Sequence, residues 1–543
     1  MTQHDAGGGV VSVSLSVLLL IGGAAAGSAQ VPGSANSRIS LPISCSADAQ
    51  RDFTRGVTLL HHMTYPRARE AFESVIKADP RCAMGHWGLA MTLFQPLWPT
   101  RPTPADLQRG WEATRSAGAV PGLSPTERLM IDAATEFFQD PASADYWMRI
   151  RRWERAMARA YAAFPRDHEV ATFYALAHLA AAPQDSVLEH SSRAAEVLLQ
   201  VYAEDPDHSG AMHYLVHAND APGREGMSLE VTRKYELSAP SNPHALHMPT
   251  HIHTRLGDWD AVITGNRLAA EAALAHPAGE SGQFIWDEFP HAVEYLIYAF
   301  LQQGQDGSAS AELNRLREAG PLQPSFKTAF HMASTRARYA LERRAWEEAV
   351  ALPPREPASL DWDRFTWPEA ITWYARGLGA AHLGQKDELR ASEQRLRVLE
   401  GLARESGESL FTANIQVLRL EVQAWRAHTE GDSVSSVDLL MRAAELEVAT
   451  PKHAVTPAPT LPAFELLGDL FMEQGRPADA LASYIRSLQH YPLRLNSLLG
   501  AARAAAAAGD ERVASMYYQQ LLEMAGSGTR RDAIDEAMTY LRR

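Results

Sequence analysis

The sequence predicts an all-α fold, a right-handed superhelical solenoid of stacked helical hairpins, on three observations. Ala- and Leu-rich segments with helical periodicity follow one another along the chain and are separated by Gly, Pro and Asp. Alternating patterns typical of strands are nearly missing. Small and bulky residues recur in equivalent positions at a period of about 34 residues. Such a period is typical of helix pairs that stack, because each pair buries its apolar face only against its neighbours.

Length and composition narrow the class of protein. The 543 residues exceed what one hydrophobic core usually supports, which favours an extended array. Hydrophobic residues make up 46% of the chain, which excludes a disordered protein. The net charge of −14, without a Lys- or Arg-rich block, argues against a nucleic-acid partner, because such a surface needs a dense positive patch.

The N-terminal segment 1–30 differs from the rest of the chain. The stretch 10–27 is apolar and uncharged, and small residues near Ala29 suit a cleavage site. Because Lys and Arg are missing before this stretch, the segment is either a cleaved secretory signal or an uncleaved membrane anchor. We therefore expect an exported protein, periplasmic or extracellular, which contacts a membrane only if this segment is retained.

The chain has two cysteines, Cys45 and Cys82. In an exported protein an isolated pair is typical of a disulfide, because the compartment is oxidising and the CxxC spacing of metal clips and redox couples is absent. We therefore predict a disulfide between these two residues.

The repeat register is clearest near the C-terminus, where seven residues occupy the tetratricopeptide positions W, L, G, Y, A, F and P. They are Phe464, Leu467, Gly468, Phe471, Ala480, Tyr484 and Pro492. The same register recurs near the N-terminus, at Gly56, Ala68, Phe72 and Pro80. Small residues at these positions let two helices approach closely, and the bulky ones fill the gap.

Pro-rich loops divide the predicted array into blocks. A linker over 31–50 is followed by an N-terminal and central array over 51–353, further hairpins over 354–450 and a C-terminal tetratricopeptide repeat (TPR) pair over 451–543.

Histidines concentrate in the central array. His213 and His217 are four residues apart, as are His247 and His251, and this spacing places two side chains on one helical face. The two pairs are one repeat period apart, so they occupy equivalent positions on neighbouring first helices of the predicted hairpins. We therefore expect the four imidazoles to converge in a concave groove.

A metal site is the sharper of two hypotheses for these histidines. His291, Glu294 and Tyr298 share one face of the next first helix, and imidazoles with one carboxylate suit zinc, copper or non-haem iron. The predicted metal ligands are His213, His217, His247, His251, His291 and Glu294. The predicted groove or ligand-orienting residues are Asp220, His244, His253 and Tyr298.

Other readings of the histidines stay open. A histidine on a helix is often a hydrogen-bonded packing residue, and a polar groove could bind an anionic peptide or a small acid without a metal. Pro249 predicts a bend in this helix. The bend either turns His251 toward the other histidines or separates it from them. His61, His62 and His86 lie two or three hairpins earlier, and we expect them to be solvated or to serve packing.

The histidine motifs also resemble those of a group of bacterial tetratricopeptide-like proteins. The stretches "CAMGHWGLAM", "HYLVHANDAP", "HALHMPTHIHTRLGDWD" and "HAVEYLIYAFLQQG" are similar to that group's "CAMAYWG", "HYLIHxYDxP", "HALHMPSHIFTRLG" and "HALDYLVYAYLQ". The resemblance spans roughly residues 45–390 and departs from the pattern at His86, at His253 and at Glu294, where the group more often has Asp. It implies a fold and no established activity. The matching positions are Cys82, Trp87, His213, His217, Asp220, His244, His247, His251, His291 and Glu294.

The sequence therefore predicts an exported solenoid that binds a peptide, a protein or a small molecule in its groove and carries a His-rich metal site. The alternative is a metalloenzyme in which the His/Glu cluster holds a catalytic zinc, copper or iron ion. Phosphate loops, GxSxG elbows and HExxH sequences are absent, so no motif names a nucleophile.

Overall fold

The computed structural model describes residues 39, 41–98, 100–142, 145–279, 281–525 and 531–542. The predicted signal or anchor, 1–30, lies outside these residues, as does most of the first half of the predicted linker. Among the described residues, no helix is long and apolar enough to cross a membrane.

The described residues form consecutive α-helices. The first group is α1 (Ala47–His61), α2 (Tyr65–Ala78), α3 (Ala83–Met91), α4 (Pro104–Gly118), α5 (Pro125–Phe138), α6 (Tyr146–Ala163), α7 (His168–Ala180) and α8 (Val187–Glu204). The central group is α9 (Ser209–Asn219), α10 (Leu229–Ser238), α11 (Pro243–His247), α12 (Pro249–Leu256), α13 (Trp259–Leu274), α14 (Glu288–Gln302), α15 (Asp306–Glu318), α16 (Phe326–Leu341) and α17 (Trp346–Val350). The last group is α18 (Thr366–His382), α19 (Lys386–Glu405), α20 (Ser409–Thr429), α21 (Ser433–Ala449), α22 (Ala463–Glu473), α23 (Pro477–His490), α24 (Leu495–Ala507), α25 (Glu511–Met524) and α26 (Asp532–Leu541).

The predicted all-α solenoid is confirmed. Successive helices pack in pairs, and each pair packs against the next along the chain. The strands of the described chain are two short antiparallel segments, β1 (Pro277–Ala278) and β2 (Phe284–Ile285), in the loop before α14. Short 3-10 turns connect some helices, at Gln184–Ser186, Glu225–Ser228 and Trp362–Arg364.

The repeat register has the predicted packing basis. The ring of Tyr484 lies between Gly468 on α22 and Gly500 on α24, where an added Cβ would come within 2.6 Å and 2.3 Å of ring atoms. Gly56 on α1 and Phe72 on α2 are related in the same way, with a Cβ at 2.7 Å from the ring. Only glycine allows this approach, so the aromatic ring fixes how closely the helices pack.

In the central hairpins, the first helices α9 and α14 form an inner layer. Every residue of α14 is buried, whereas its partner α15 buries only Ala309, Leu313 and Leu316. The same asymmetry places polar side chains of the first helices in the interior, where they need partners.

The N-terminal and C-terminal hairpins are tied to their neighbours by long-range contacts. Cys45 and Cys82 form a disulfide, with their Cα atoms 5.2 Å apart, which joins the start of α1 to the start of α3. At the other end, the Arg494 guanidinium donates to the Tyr298 hydroxyl on α14 and to Glu342, which follows α16. The central and C-terminal hairpins are therefore in direct contact.

The loop 450–462 crosses the inner face of the central hairpins. Lys452 is ion-paired with Asp220, which follows α9. Arg338 on α16 donates to the Thr456 hydroxyl and to the carbonyls of Ala458 and Pro459. The groove beside α9, α12 and α16 is therefore covered by the chain itself.

Candidate metal centre

Two groups of three imidazoles lie side by side in the inner layer. The first, triad A, is His213 and His217 on α9 with His244 on α11. Its possible ligand atoms all lie within 4.8 Å of one another. The Nε2 atoms of His213 and His244 are 3.1 Å apart, and the His217 ring centroid lies 4.9 Å from that of His213.

The second group, triad B, is His247, His251 and His291, from α11, α12 and α14. Its ligand atoms also lie within 4.8 Å of one another. The Nε2 atoms of His247 and His251 are 2.9 Å apart, and the ring centroids of His247 and His291 are 4.1 Å apart. The structure thus divides the predicted histidines between two groups and assigns His244, expected only in the groove, to one of them.

Pro249 does not disperse the histidines. Met248, between α11 and α12, keeps right-handed helical angles of φ −53° and ψ −41°, so the two helices follow one another with little change of direction. Pro249 occupies a first-turn position of α12, where a missing N–H costs little. His247 and His251 therefore stay on one face.

A hydrogen bond fixes the tautomer of one ring in triad A. His213 Nδ1 lies 2.6 Å from the His61 carbonyl oxygen, which only accepts, so Nδ1 carries the proton. A neutral imidazole has one N–H, so His213 Nε2 is left with a lone pair. His244 Nδ1 lies 3.4 Å from the Glu288 carboxylate and its Nε2 lies 3.1 Å from His213 Nε2, so a neutral His244 ring has an acceptor beside each nitrogen.

In triad B, acceptors fix both rings of the facing pair. His247 Nδ1 donates over 2.7 Å to Asn266 Oδ1, whose amide orientation is set by Nδ2 donating to the Val262 carbonyl. His251 Nδ1 donates over 2.8 Å to the Asp220 carboxylate. Their Nε2 lone pairs therefore face each other at 2.9 Å, and the corresponding Nε2 atoms of triad A are 3.1 Å apart.

Two lone pairs at such a distance repel unless a cation lies between them or one ring gains a proton. Bound imidazoles lie about 2.0–2.1 Å from zinc, so neighbouring nitrogens on one ion are about 3 Å apart or slightly more. An Nδ1 donor bond to a carbonyl or carboxylate is also the usual support of a metal-bound histidine. The two facing pairs therefore have the geometry of ligands to an ion.

In each triad, one nitrogen of the third ring is buried and lacks a hydrogen-bond partner among the described residues. Within the described chain, His217 Nε2 and His291 Nδ1 are buried and have no hydrogen-bond partner. A buried polar atom without a partner is costly, and ligation would satisfy it.

Burial keeps the imidazoles neutral. It lowers the pKa of His213, His217, His247 and His291 well below the ordinary value, and in each case a neighbouring imidazole lowers it further. Burial also lowers the pKa of His251 to about 4, although Asp220 opposes this shift. Neutral imidazole is the form that binds metals.

The acidic residues beside the triads are already neutralised. Burial raises the pKa of Asp220, but Lys452 and Arg255 together hold it well below its ordinary value. Burial also raises the pKa of Glu288, but Lys327, whose Nζ lies 2.7 Å from the Glu288 carboxylate, outweighs burial and lowers this pKa. Both residues act on the histidines as hydrogen-bond acceptors, without unpaired negative charge.

A narrow cleft with about 20 Å³ of free space reaches both triads and is lined by His217, His244, His251 and His291. Its remaining wall is mostly apolar. It is formed by Leu97, Trp98, Met248, Lys327, His453, Ala454 and Val455.

Glu294, predicted as a metal ligand, faces away from both triads. Its carboxylate accepts hydrogen bonds from His331 Nδ1, the Ser334 hydroxyl and Arg338 Nε, all on α16. With its oxygens engaged by three donors, it is a buried structural residue in this arrangement.

Two of the predicted groove residues also lie elsewhere. Tyr298 is seven residues after His291, but its hydroxyl accepts a hydrogen bond from Arg494 instead of facing the imidazoles. The ring of His253 contacts Asp258, at 3.0 Å, at the end of α12. Asp220 is placed as predicted for an orienting residue, beside His251.

The sequence reasoning missed Tyr295, Asn266 and Glu288. Tyr295 lies four residues after His291, a spacing that would have placed it on the same helical face. Its hydroxyl is 3.4 Å from His251 Nε2, and its ring centroid is 4.6 Å from that of His247. Asn266, on α13, and Glu288, at the start of α14, carry no local signal of their roles.

His61 and His62, which were expected to be solvated or to serve packing, are buried, and both lie beside triad A. The His61 carbonyl accepts from His213, and His62 Nδ1 lies 2.9 Å from the hydroxyl of Tyr235, whose ring stacks on His213. The solenoid curls tightly enough to bring α1 against α9. His86 lies apart, and its Nε2 contacts the Pro80 carbonyl.

A third cluster, His61, Glu169 and His208, is a hydrogen-bonded network. His61 Nε2 and His208 Nε2 lie 2.7 Å and 3.2 Å from the Glu169 carboxylate. The Nδ1 atoms are engaged as well, His61 with the Tyr214 hydroxyl and His208 with the Ala211 N–H. Three of the four ring nitrogens are hydrogen-bonded, whereas His208 Nε2 has no hydrogen-bond partner among the described residues and only an ion-pair contact with Glu169. The cluster joins α1 to α9 and is a third group that could hold an ion.

Fold and site together define an all-α solenoid of tetratricopeptide-like hairpins with buried imidazole clusters in its central repeats. No protein-family model matches the chain, and no curated protein matches its sequence. Several solved structures align with it. A human IFIT1 dimer with PPP-AAAA is 14% identical, with a TM-score of 0.35, over 90% of this chain and 97% of that one.

Two further solved structures show similar alignments. An IFIT1 monomeric mutant with Gppp-AAAA is 13% identical, with a TM-score of 0.37, over 90% of this chain and 98% of that one. The P58(IPK) TPR domain is 13% identical, with a TM-score of 0.21, over 91% of this chain and 99% of that one.

Proposed function

We propose that this protein is an exported metal-binding solenoid, whose central hairpins hold a transition-metal ion and present it to a small molecule in the cleft. The observation that carries the proposal is the pair of facing Nε2 atoms in each triad, at 3.1 Å and 2.9 Å. Acceptors fix both rings of the triad B pair and His213 of triad A as Nδ1–H tautomers, so a cation is a partner that suits their Nε2 lone pairs.

The donor set supports zinc or copper. Both metals accept imidazole ligands readily. Non-haem iron sites typically include a carboxylate ligand. The carboxylate predicted for that role, Glu294, is engaged by α16 instead.

The loop 450–462 supports a small ligand rather than a peptide. His453, Ala454 and Val455 form part of the cleft wall, so a peptide would have to displace this loop to reach the triads. The free space in the cleft is about 20 Å³, which holds about one water-sized ligand. On this proposal, a peptide or protein partner therefore binds to other surfaces of the solenoid.

Export is supported by the disulfide between Cys45 and Cys82, because disulfides persist mainly in oxidising compartments. The exclusion of nucleic acid stays a prediction from the net charge of −14.

A metalloenzyme is the second candidate, and the cleft is the observation that favours it. An ion held by three imidazoles keeps a position open for water or substrate. The Tyr295 hydroxyl lies 3.4 Å from His251 Nε2 and donates to the Thr456 carbonyl, so it joins triad B to the loop 450–462.

Metal analysis of the purified full chain tests the proposal. After incubation with Zn²⁺ or copper and removal of free metal, we expect stoichiometric retention by the wild type. The double variant His213→Ala/His247→Ala should lose the metal and keep its helical circular dichroism. His86→Ala is the matched control, because the His86 ring bonds the Pro80 carbonyl and belongs to neither triad. A wild-type chain that retains no ion, or a double variant that retains it fully, would contradict the proposal.

A further inference from the structure

We infer that the centre is dinuclear, with triad A and triad B each binding one monovalent copper ion. This inference rests on the proposed metal-binding function and specifies its stoichiometry and its metal.

Six imidazoles are too many for one ion. A tetrahedral ion takes four ligands, and two nitrogens bound at about 2.1 Å lie at most about 4.2 Å apart. Ligand atoms within each triad lie within 4.8 Å of one another, which small side-chain rotations bring into this range. Each triad is therefore a complete three-nitrogen site.

The two triads have the same composition. Each contains one pair of facing Nε2 atoms, His213 with His244 and His247 with His251. Each also contains a third ring with a buried nitrogen that lacks a partner, His217 or His291. A single ion would satisfy one triad and leave the third ring of the other with its buried nitrogen unpartnered.

The triads are close enough for their ions to be neighbours. Ring centroids of His217 and His251 are 6.5 Å apart, and those of His244 and His247 are 6.4 Å apart. Paired metal ions in proteins typically lie about 3.5–4 Å from each other. Both triads border the same cleft, so one small molecule could contact both ions.

Charge favours monovalent copper over divalent ions. An imidazole binds a metal in its neutral form. The nearby carboxylates already have cations: Asp220 has Arg255 and Lys452, and Glu288 has Lys327. Uncompensated charge is costly in a buried site. Two copper(I) ions bring half the positive charge of two divalent ions, and imidazole is a suitable copper ligand.

Anaerobic titration of the full chain with copper(I), against the chromophoric chelator bicinchoninate, measures the stoichiometry. We expect two ions per wild-type chain and one ion in each of the variants His217→Ala and His291→Ala. These two rings are chosen because each has a nitrogen that is unpartnered in the fold. His86→Ala should bind two ions, and circular dichroism checks that all variants are folded.

Electron paramagnetic resonance tests whether the ions are neighbours. After oxidation to copper(II) with ferricyanide, the wild type should show a broadened signal with less intensity than two isolated ions. Each single-triad variant should show one unbroadened signal. One ion per wild-type chain, both ions lost from each single variant, or two unbroadened signals would overturn the dinuclear centre. Retention of two zinc ions but no copper(I) would overturn the choice of metal. Failure to bind any metal would instead reject the proposed function itself.

Discussion

The ammonium group of Lys452 lies 2.9 Å from the carboxylate of Asp220, a residue 232 positions earlier in the chain. The same carboxylate accepts the Nδ1–H of His251 in triad B and is bonded by Arg255. One buried acidic side chain therefore joins the covering loop to the imidazoles. Loop position and ring orientation are linked through it.

Asp220→Asn should weaken metal binding at triad B by about 10–100-fold. The substitution removes the negative charge that accepts the His251 Nδ1–H and that forms the ion pair with Lys452. Triad A should keep its affinity, since its outer bonds come from His61 and Glu288. Competition titration with a metal chelator measures both affinities.

Asp258→Asn is the control for this change, because Asp258 contacts His253 outside both triads. It should leave both affinities unaltered. Equal weakening of metal binding by the two variants would show that Asp220 has no particular role.

Glu294→Gln should leave the metal content unchanged and lower the free energy of unfolding by about 3 kcal/mol, because it deprives buried Arg338 of its charged partner. Urea unfolding and metal analysis of the same preparation give both quantities. Exposed Glu318, on α15, provides the control Glu318→Gln, which should change stability by less than about 0.5 kcal/mol. Loss of metal at unchanged stability would instead make Glu294 a ligand.

Gly500→Ala should lower the free energy of unfolding by about 1–3 kcal/mol, because the new Cβ would lie 2.3 Å from the Tyr484 ring. Gly401→Ala is the matched control on helix α19, where no atom lies within 4 Å of the added Cβ. It should raise stability by about 0.5–1 kcal/mol, through the better helix propensity of alanine. Equal effects of the two substitutions on the midpoint of thermal unfolding would contradict the close contact.

Glu421→Gln should make the protein more stable near pH 8. Burial and the neighbouring Glu447 raise the pKa of Glu421 well above its ordinary value, and burial raises that of Glu447 to about 8. Both carboxyls are therefore protonated in the fold at a pH where the unfolded chain, with a glutamate pKa of about 4.3, is ionised. Their contribution to stability is complete below about pH 4 and is lost as the pH rises to about 8.

Urea unfolding across this pH range should give a flatter stability profile for Glu421→Gln than for the wild type. Glu445→Gln, at an exposed position of the same hairpin, should keep the wild-type profile. A wild-type profile that rises over this range would contradict the protonated pair.

Much of the fold follows from local signals that the sequence carries directly. Helix periodicity and the positions of Gly56, Phe72, Gly468 and Tyr484 predicted the hairpins, because a ring against a glycine needs only two neighbouring helices. The identity of the clustered histidines was also predictable, since the spacing of four and the repeat period place them on adjacent first helices.

The partners of those histidines were not predictable from spacing. Asn266 lies on a second helix and Glu288 at the start of a later first helix, and each reaches its imidazole only through the packing of hairpins. By its spacing Glu294 shares a helical face with His291, yet its carboxylate accepts hydrogen bonds from His331 and Arg338 on α16 instead of facing the triads. Helical periodicity gives a direction around one axis, and it cannot say which neighbouring helix will occupy that direction.

By itself, the sequence determined an all-α solenoid, the close glycine–aromatic contacts of its repeats and the residues that form a histidine-rich centre. These properties depend on contacts within one hairpin or between adjacent hairpins, so the repeat period and the four-residue spacing of the histidines are enough to predict them. Only the tertiary structure decided that the imidazoles divide into two triads, that His61 on α1 supports one of them, and that the loop 450–462 closes over both. These features join residues up to 232 positions apart, and their geometry depends on the accumulated curvature of every hairpin between them.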